Sequence, residues 1–154
     1  MRVAVAGTFG PLHDGHRSLL ETALEVGTDG VVVGLTSDRF ATSSRERDVP
    51  SFTDRADALR RELDALDRWG RTVELREIAS EHDFAASDAG LDAVVVSRET
   101  ADEVPDLNDE RRGNGLDPLV AVVVPLVLAE DGERISSTRL VAGEVDEHGR
   151  ADSD

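Results

Sequence analysis

Two histidines three residues apart, His13 and His16, stand in the glycine-punctuated segment Gly7-Thr8-Phe9-Gly10-Pro11-Leu12-His13-Asp14-Gly15-His16, directly after the apolar run Val3-Ala4-Val5-Ala6. A buried strand, a glycine-rich turn and a helix start can offer main-chain N–H groups and imidazoles to a phosphate. Far downstream, three hydroxyls, Ser136, Ser137 and Thr138, lie between Ile135 and Arg139. Serine at a helix start ordinarily caps it. A capping box would then carry Glu or Gln three residues on, yet Arg139 stands there, and Arg17 follows His16 in a similar first-turn position. A cation at the positive end of a helix dipole costs about 0.3–1 kcal/mol unless an anion lies between them. Two such helix starts predict one anion held from both sides. The segments contain no obvious Ser-His-Asp or paired-carboxylate arrangement. Nor does a resident metal fit: there is no HExxH and no third ligand near the two histidines.

The elements that must position these groups are legible from the apolar pattern. Strands are expected at residues 3–6, 30–35, 72–78, 93–96 and 119–124, with helical stretches between them. Their continuous Val-rich runs indicate strands buried on both faces, as in a parallel sheet. The first helix shows a core stripe at Leu19, Leu20, Ala23 and Leu24, and the second, over residues 53–69, at Ala56, Leu59, Leu63 and Leu66. A further helix is expected to restart at Asp106 after Pro105 and to end near Gly113-Asn114-Gly115. This alternation predicts an α/β fold, a single Rossmann-like doubly wound domain with a five-stranded parallel sheet over residues 1–146. Residues 147–154 read as an acidic, disordered tail. In such sheets ligands bind beyond the carboxyl ends of the strands, where residues 7–16, 36–50 and Ser97-Arg98 fall. Residues 37–51, with Arg39, Arg45 and Arg47, have no apolar periodicity and read on composition as a surface loop. Arg111, Arg112, His82 and His148 read as surface residues.

Composition removes several alternatives. Cysteine is absent, so there is no disulfide, thiolate metal site or thiol nucleophile. All 17 basic residues are arginine, which excludes a Walker A lysine and a Schiff base. Against 33 acidic residues they leave a net charge of −16, which repels nucleic acid backbones. No apolar run approaches the ~18 residues of a membrane span and no secretory signal is evident, so a cytoplasmic protein without membrane or nucleic-acid partners is expected. The same charge, with lysine missing, suggests adaptation to salt. At about 1 M salt the Debye length is roughly 3 Å, and surface self-repulsion is screened. The unfolding midpoint is therefore expected to rise between about 0.1 and about 2 M KCl, and a flat midpoint would contradict a halophilic origin.

T-F-x-P-x-H-x-G-H together with I-S-S-T-R resembles the nucleotidyltransferase superfamily of the HxGH type. Val96-Ser97-Arg98-Glu99-Thr100, Asn108 with Arg111-Arg112, Ala129-Glu130-Asp131-Gly132 and Gly143-Glu144-Val145-Asp146 look most like the archaeal type of phosphopantetheine adenylyltransferase. The resemblance spans about residues 1–146 and implies transfer of the adenylyl group of ATP to 4′-phosphopantetheine, giving dephospho-CoA and pyrophosphate. It implies that Thr8 lies between the two reacting phosphate groups, that His16 opens the helix and donates to the α-phosphate, and that His13 contacts neighbouring phosphates. Arg98 would hold a phosphate or the ribose, completing the catalytic set with His16 and Thr8. Ser136, Ser137 and Thr138 would bind the β- and γ-phosphates, with Gly7, Phe9 and Gly15 completing the ATP site. Arg45 and Arg47 would join Thr8 on the substrate phosphate, and Mg²⁺ would arrive with ATP. Gly10 departs from the family, where Asp is frequent. Other enzymes of the type remain open on these motifs, namely nicotinamide- or flavin-mononucleotide adenylyltransferases and glycerol-phosphate cytidylyltransferases. So does a nucleotide-binding module without turnover.

Overall fold

The five expected strands form as β1 (Arg2–Gly7), β2 (Gly30–Thr36), β3 (Val73–Ile78), β4 (Ala93–Ser97) and β5 (Val120–Val124) of a computed structural model that describes residues 1–43, 49–80 and 83–150. They make one parallel sheet in the order β3-β2-β1-β4-β5. β1 has to be central: Val3, Ala4 and Val5 are all buried, and it pairs with β2 on one side and β4 on the other. All seven residues of β2 are buried. The Val-rich run of β5 instead forms an edge, where Val120 and Val123 are exposed. For β5 the expectation of burial on both faces does not hold, because an apolar run cannot report whether a further strand pairs beyond it.

Helices cover both faces. α1 (Asp14–Val26) and α3 (Phe52–Leu66) pack Leu20, Ala23, Leu24, Ala56, Leu59 and Leu63 against β1, β2 and β4 in the larger apolar cluster. α4 (Val104–Gly113) contributes Val104 and Leu107 to the opposite cluster, with Leu91 and Leu119. α4 begins before Pro105 rather than after it: the proline sits in the first turn, where its missing N–H costs no intrahelical bond. The stretch 37–51 is not wholly a loop, for α2 (Asp38–Ser43) forms at its start. α5 (Ser137–Val141) is a single short helix next to a small cluster of Ala129, Ile135 and Val145. Residues 147–150 close a turn against α1, the Asp14 N–H donating to the Glu147 carbonyl at 2.9 Å. Residues 151–154 of the expected tail lie outside the described residues, as does His82. Among the described residues no helix is long and apolar enough to cross a membrane.

The strand order places β2 and β4 on opposite sides of β1, so the chain leaves β1 and β4 in opposite directions. The crevice at their carboxyl ends is the switch point at which such sheets bind ligands. Gly7, Thr8 and Ser97 stand there.

Candidate active site

The turn after β1 is built to hold two imidazoles. His13 is the N-cap of α1: its extended backbone ends the turn, and its Nδ1 accepts the Gly15 N–H at 3.0 Å. His16, three residues on, returns the bond, its Nδ1 accepting the His13 N–H at 3.3 Å. The pair forms a capping box in which imidazoles replace the usual hydroxyl and carboxylate. The helix thus opens at Asp14, two residues before the expected His16. Each ring spends Nδ1 as an acceptor, so the neutral tautomer carries its proton on Nε2, at the edge away from the helix start. The rings stack at 3.8 Å, and Phe9, buried, meets His16 edge-on at 5.2 Å. Gly15 is required by this packing, since a Cβ there would lie 2.8 Å from His13 Cε1.

The main-chain donors that a helix N-terminus would offer an anion are already engaged. Asp14 N–H goes to Glu147, Gly15 and His16 N–H to the His13 ring, and Arg17 N–H to the His13 carbonyl. The two misplaced arginines likewise have internal partners. Arg17 pairs with Asp14 at 2.8 Å, Glu62 at 2.7 Å and Glu147 at 3.5 Å; Arg139 pairs with Asp131, and with Glu144 at 2.9 Å. The expectation that these cations report a bound anion is therefore corrected: the compensating charges are the protein's own carboxylates. What α1 brings to the cleft is its imidazoles.

His13 is 7% exposed, and burial, followed by the positive charges of Arg134 and Arg17, lowers its pKa to about 4. It is a neutral donor near pH 7. An unfolded histidine takes up its proton near pH 6.5, so as pH falls from about 6.5 toward about 4 the unfolded chain binds a proton that the folded chain refuses, and stability drops by ~3 kcal/mol at most. Above that window the penalty is absent. His13→Asn keeps an N-cap acceptor and removes this titration. Its unfolding midpoint should fall less steeply than wild type over the same range, whereas parallel slopes would mean His13 titrates normally.

The two distant motifs meet. Ser137 Oγ donates to the Pro11 carbonyl, and Ile135 Cγ2 lies 3.6 Å from where a Gly15 Cβ would be. Ser136 caps α5, its Oγ accepting the Arg139 N–H at 3.2 Å, and Thr138 is exposed. Two cavities open here. The smaller, ≈ 130 Å³, is lined by His13, Gly15, His16, residues 124–127, Arg134 and Ile135. The larger, ≈ 580 Å³, runs along the carboxyl ends of β1, β2 and β4 past Gly7, Thr8 and Thr36. Leu19 and Ser97 line both and form their common wall. Ser136, Ser137, Thr138 and Arg98 do not line either. Arg98 is exposed, and no described residue bonds or pairs with it; it follows Ser97 at the rim. Arg45 and Arg47 lie outside the described residues.

Three arginines escaped sequence reading. Arg134, just before the I-S-S-T-R element, lines the histidine cavity and pairs with Glu99 at 3.0 Å. Arg55 is 1% exposed, and its guanidinium donates to the carbonyls of Pro50 (2.8 Å) and Thr8 (3.0 Å), to Thr36 Oγ1 (3.1 Å) and to Asp38 (3.2 Å). Its signal was position, four residues before Leu59 on the buried stripe of α3. Its stem also explains Gly10, where a Cβ would lie 2.7 Å from Arg55 Cδ. Arg111, read as a surface charge, is 2% exposed and donates to the carbonyls of Asp117, Ala85 and Asp88, whereas Arg112 is exposed and pairs with Asp109.

A parallel doubly wound sheet with a histidine pair and two contiguous cavities at its switch point is the architecture of a nucleotide-handling α/β protein. The sequence model of the cytidylyltransferase-like family matches residues 4–143. A phosphopantetheine adenylyltransferase of Methanopyrus kandleri is 44% identical over 95% of this chain and 91% of its own length. One of Archaeoglobus fulgidus is 36% identical over 97% and 98%. Among solved structures, a protein of unknown function from Archaeoglobus fulgidus superposes with a TM-score of 0.70 at 31% identity, over 80% of this chain and 89% of that one. The chain belongs to the cytidylyltransferase-like family of nucleotidyltransferases and, within it, to the archaeal phosphopantetheine adenylyltransferases.

Proposed function

We propose that this chain transfers the adenylyl group of ATP to 4′-phosphopantetheine, releasing pyrophosphate and dephospho-CoA in coenzyme A biosynthesis. The observation that carries the reading is the pair of cavities with a shared wall. The small one, ≈ 130 Å³ and lined by the two imidazoles and Arg134, suits the reacting phosphate end of the nucleotide rather than the whole of it. The large one, walled by Leu19, Phe40, Ile78, Phe84, Val104 and Leu107 and ending at Thr8, suits an extended, largely uncharged arm with a phosphate at one end.

The nucleophile is an oxygen of the acceptor phosphate, whose second pKa is roughly 6, so it is ionised at neutral pH and needs no general base. It attacks the α-phosphorus; the bond to the bridging oxygen breaks, and pyrophosphate leaves with the electron pair. Thr8 donates to a phosphate oxygen between the reacting groups. His16, through Nε2–H, stabilises charge on the α-phosphate as the fifth bond forms, and His13, also neutral, serves the adjoining phosphates. Arg98, exposed at the rim with no partner among the described residues, and Arg134, released from Glu99, supply the positive charge that the histidines lack. Arg45 and Arg47 serve the acceptor phosphate. Ser137 fixes the second motif against the loop of the first, Ser136 caps α5, and with Thr138 they are the hydroxyls of that motif proposed for the β- and γ-phosphates. Among the described residues no three His, Cys, Asp or Glu side chains converge as an ion site. Magnesium is proposed only as an ion held by the phosphates of ATP. The acidic, lysine-free composition supports a salt-rich cytoplasm as the setting.

An acceptor panel in high salt tests the reading. Pyrophosphate is expected from ATP with 4′-phosphopantetheine. Release instead with nicotinamide mononucleotide, flavin mononucleotide, or CTP and glycerol phosphate would reassign the substrate, and ATP binding without release from any pair would indicate a non-catalytic module.

A further inference from the structure

We infer that Thr36, held by Arg55, is a positioning residue that turns the hydroxyl proton of Thr8 toward the ligand in the larger cavity. The inference rests on the adenylyl-transfer reading above. Thr36 ends β2 and Thr8 follows β1, so the parallel pairing of these strands sets the two hydroxyls side by side at the floor of the cavity. Both are buried, at 4% and 5% exposure, and Thr36 Oγ1 lies 3.0 Å from Thr8 Oγ1. A pair of hydroxyls in isolation could donate in either sense. Here the Arg55 guanidinium, which only donates, occupies one acceptor site of Thr36 Oγ1 at 3.1 Å and holds that oxygen in place, and the Thr36 hydroxyl donates to Thr8 Oγ1. Thr8 Oγ1, already accepting, then has its hydroxyl proton left for an acceptor beyond the pair. No described protein group takes it, and the cavity lies on that side. An oxygen of a phosphate is the acceptor this arrangement suits, because a donor pre-aimed by buried neighbours costs no reorientation when negative charge develops. The same guanidinium holds the Thr8 carbonyl at 3.0 Å, so one side chain holds both residues in place.

The test compares Thr36→Val, Thr36→Ser, Thr8→Val and the Thr8→Val/Thr36→Val double variant in pyrophosphate release with ATP and 4′-phosphopantetheine. Thr36→Val is expected to lower kcat about 10- to 10²-fold with KM for either substrate little changed, the usual cost of a misaimed group near the chemistry. Thr36→Ser, which keeps the hydroxyl, restores most of the rate. The double variant is no slower than Thr8→Val alone, since the relay ends at the hydroxyl that Thr8→Val has already removed. Losses that multiply in the double variant, a serine variant as slow as valine, or a valine variant with wild-type kcat would each overturn the relay. Should Thr36→Val lower the unfolding midpoint so far that the protein is not folded in the assay, Thr36→Ala carries the same three expectations. A wild-type protein that releases no pyrophosphate with this pair would instead refute the adenylyl-transfer reading itself, a result distinguishable from any of these.

Discussion

Replacing His16 by alanine lowers pyrophosphate release about 10²–10³-fold, the cost of losing one donor aimed at transition-state charge. The expectation follows from how the ring is held. Its Nδ1 accepts the His13 N–H, its face stacks on His13 and Phe9 meets it edge-on, so Nε2–H is fixed before any ligand arrives. Because the ring also completes the cap of α1, alanine should lower stability by about 1 kcal/mol, which would complicate a simple activity measurement. His16→Gln separates the two effects. Glutamine is a normal occupant of this capping-box position and restores the acceptor for His13 N–H. Its unfolding midpoint should return to wild type while its rate stays low. A glutamine or alanine variant with full turnover would remove the imidazole from the mechanism.

Arg55→Ala is expected to cost about 3–5 kcal/mol of stability, more than any other single substitution argued here. The side chain is almost wholly enclosed, and its loss leaves a cavity and deprives the carbonyls of Thr8 and Pro50 of their donor. Each buried acceptor so orphaned costs roughly 1–3 kcal/mol, and the void adds to that. Its ion-pair partner Asp38 is 62% exposed, so its carboxylate returns to water and contributes little of the loss. Arg55→Lys should recover only a minor part, because one ammonium cannot serve acceptors fanned around a planar guanidinium. Urea unfolding in high salt reads both variants. A loss below about 1 kcal/mol for alanine would show that the network is not what holds the Thr8 turn to α3.

β1, β2, β4 and β5 were legible as Val-rich runs bounded by turn residues, the mark of a parallel sheet, whereas β3, at the other edge, sets Glu74, Arg76 and Glu77 among its apolar residues. His13 and His16 were legible because their spacing around Gly15 sits directly after β1. The arginines were misread for a physical reason. Arg17, Arg139 and Arg111 find partners at Glu62, Asp131 and the carbonyl of Ala85, and such partners are fixed by how the elements pack, which local spacing does not encode. The helix dipole acts on Arg17 and Arg139 together with the carboxylates of Glu62, Asp131 and Glu144 that the fold brings to them. Capping by His13 was also hidden, since imidazole is outside the usual set of N-cap side chains. Arg55 lay within reach of the pattern: a charged residue in register with Leu59 and Leu63 on a buried stripe had to find acceptors somewhere.

The central claim is that the reacting phosphates of ATP and the acceptor occupy the two contiguous cavities and meet at the shared wall of Leu19 and Ser97. A crystal structure of the protein with a non-hydrolysable ATP analogue and 4′-phosphopantetheine tests it most directly. The account predicts the α-phosphorus within hydrogen-bonding reach of His16 Nε2 through its oxygens, the acceptor phosphate on Thr8 Oγ1, and the pantetheine arm in the larger cavity. A triphosphate bound away from His16, or an acceptor phosphate that does not touch Thr8, would contradict it.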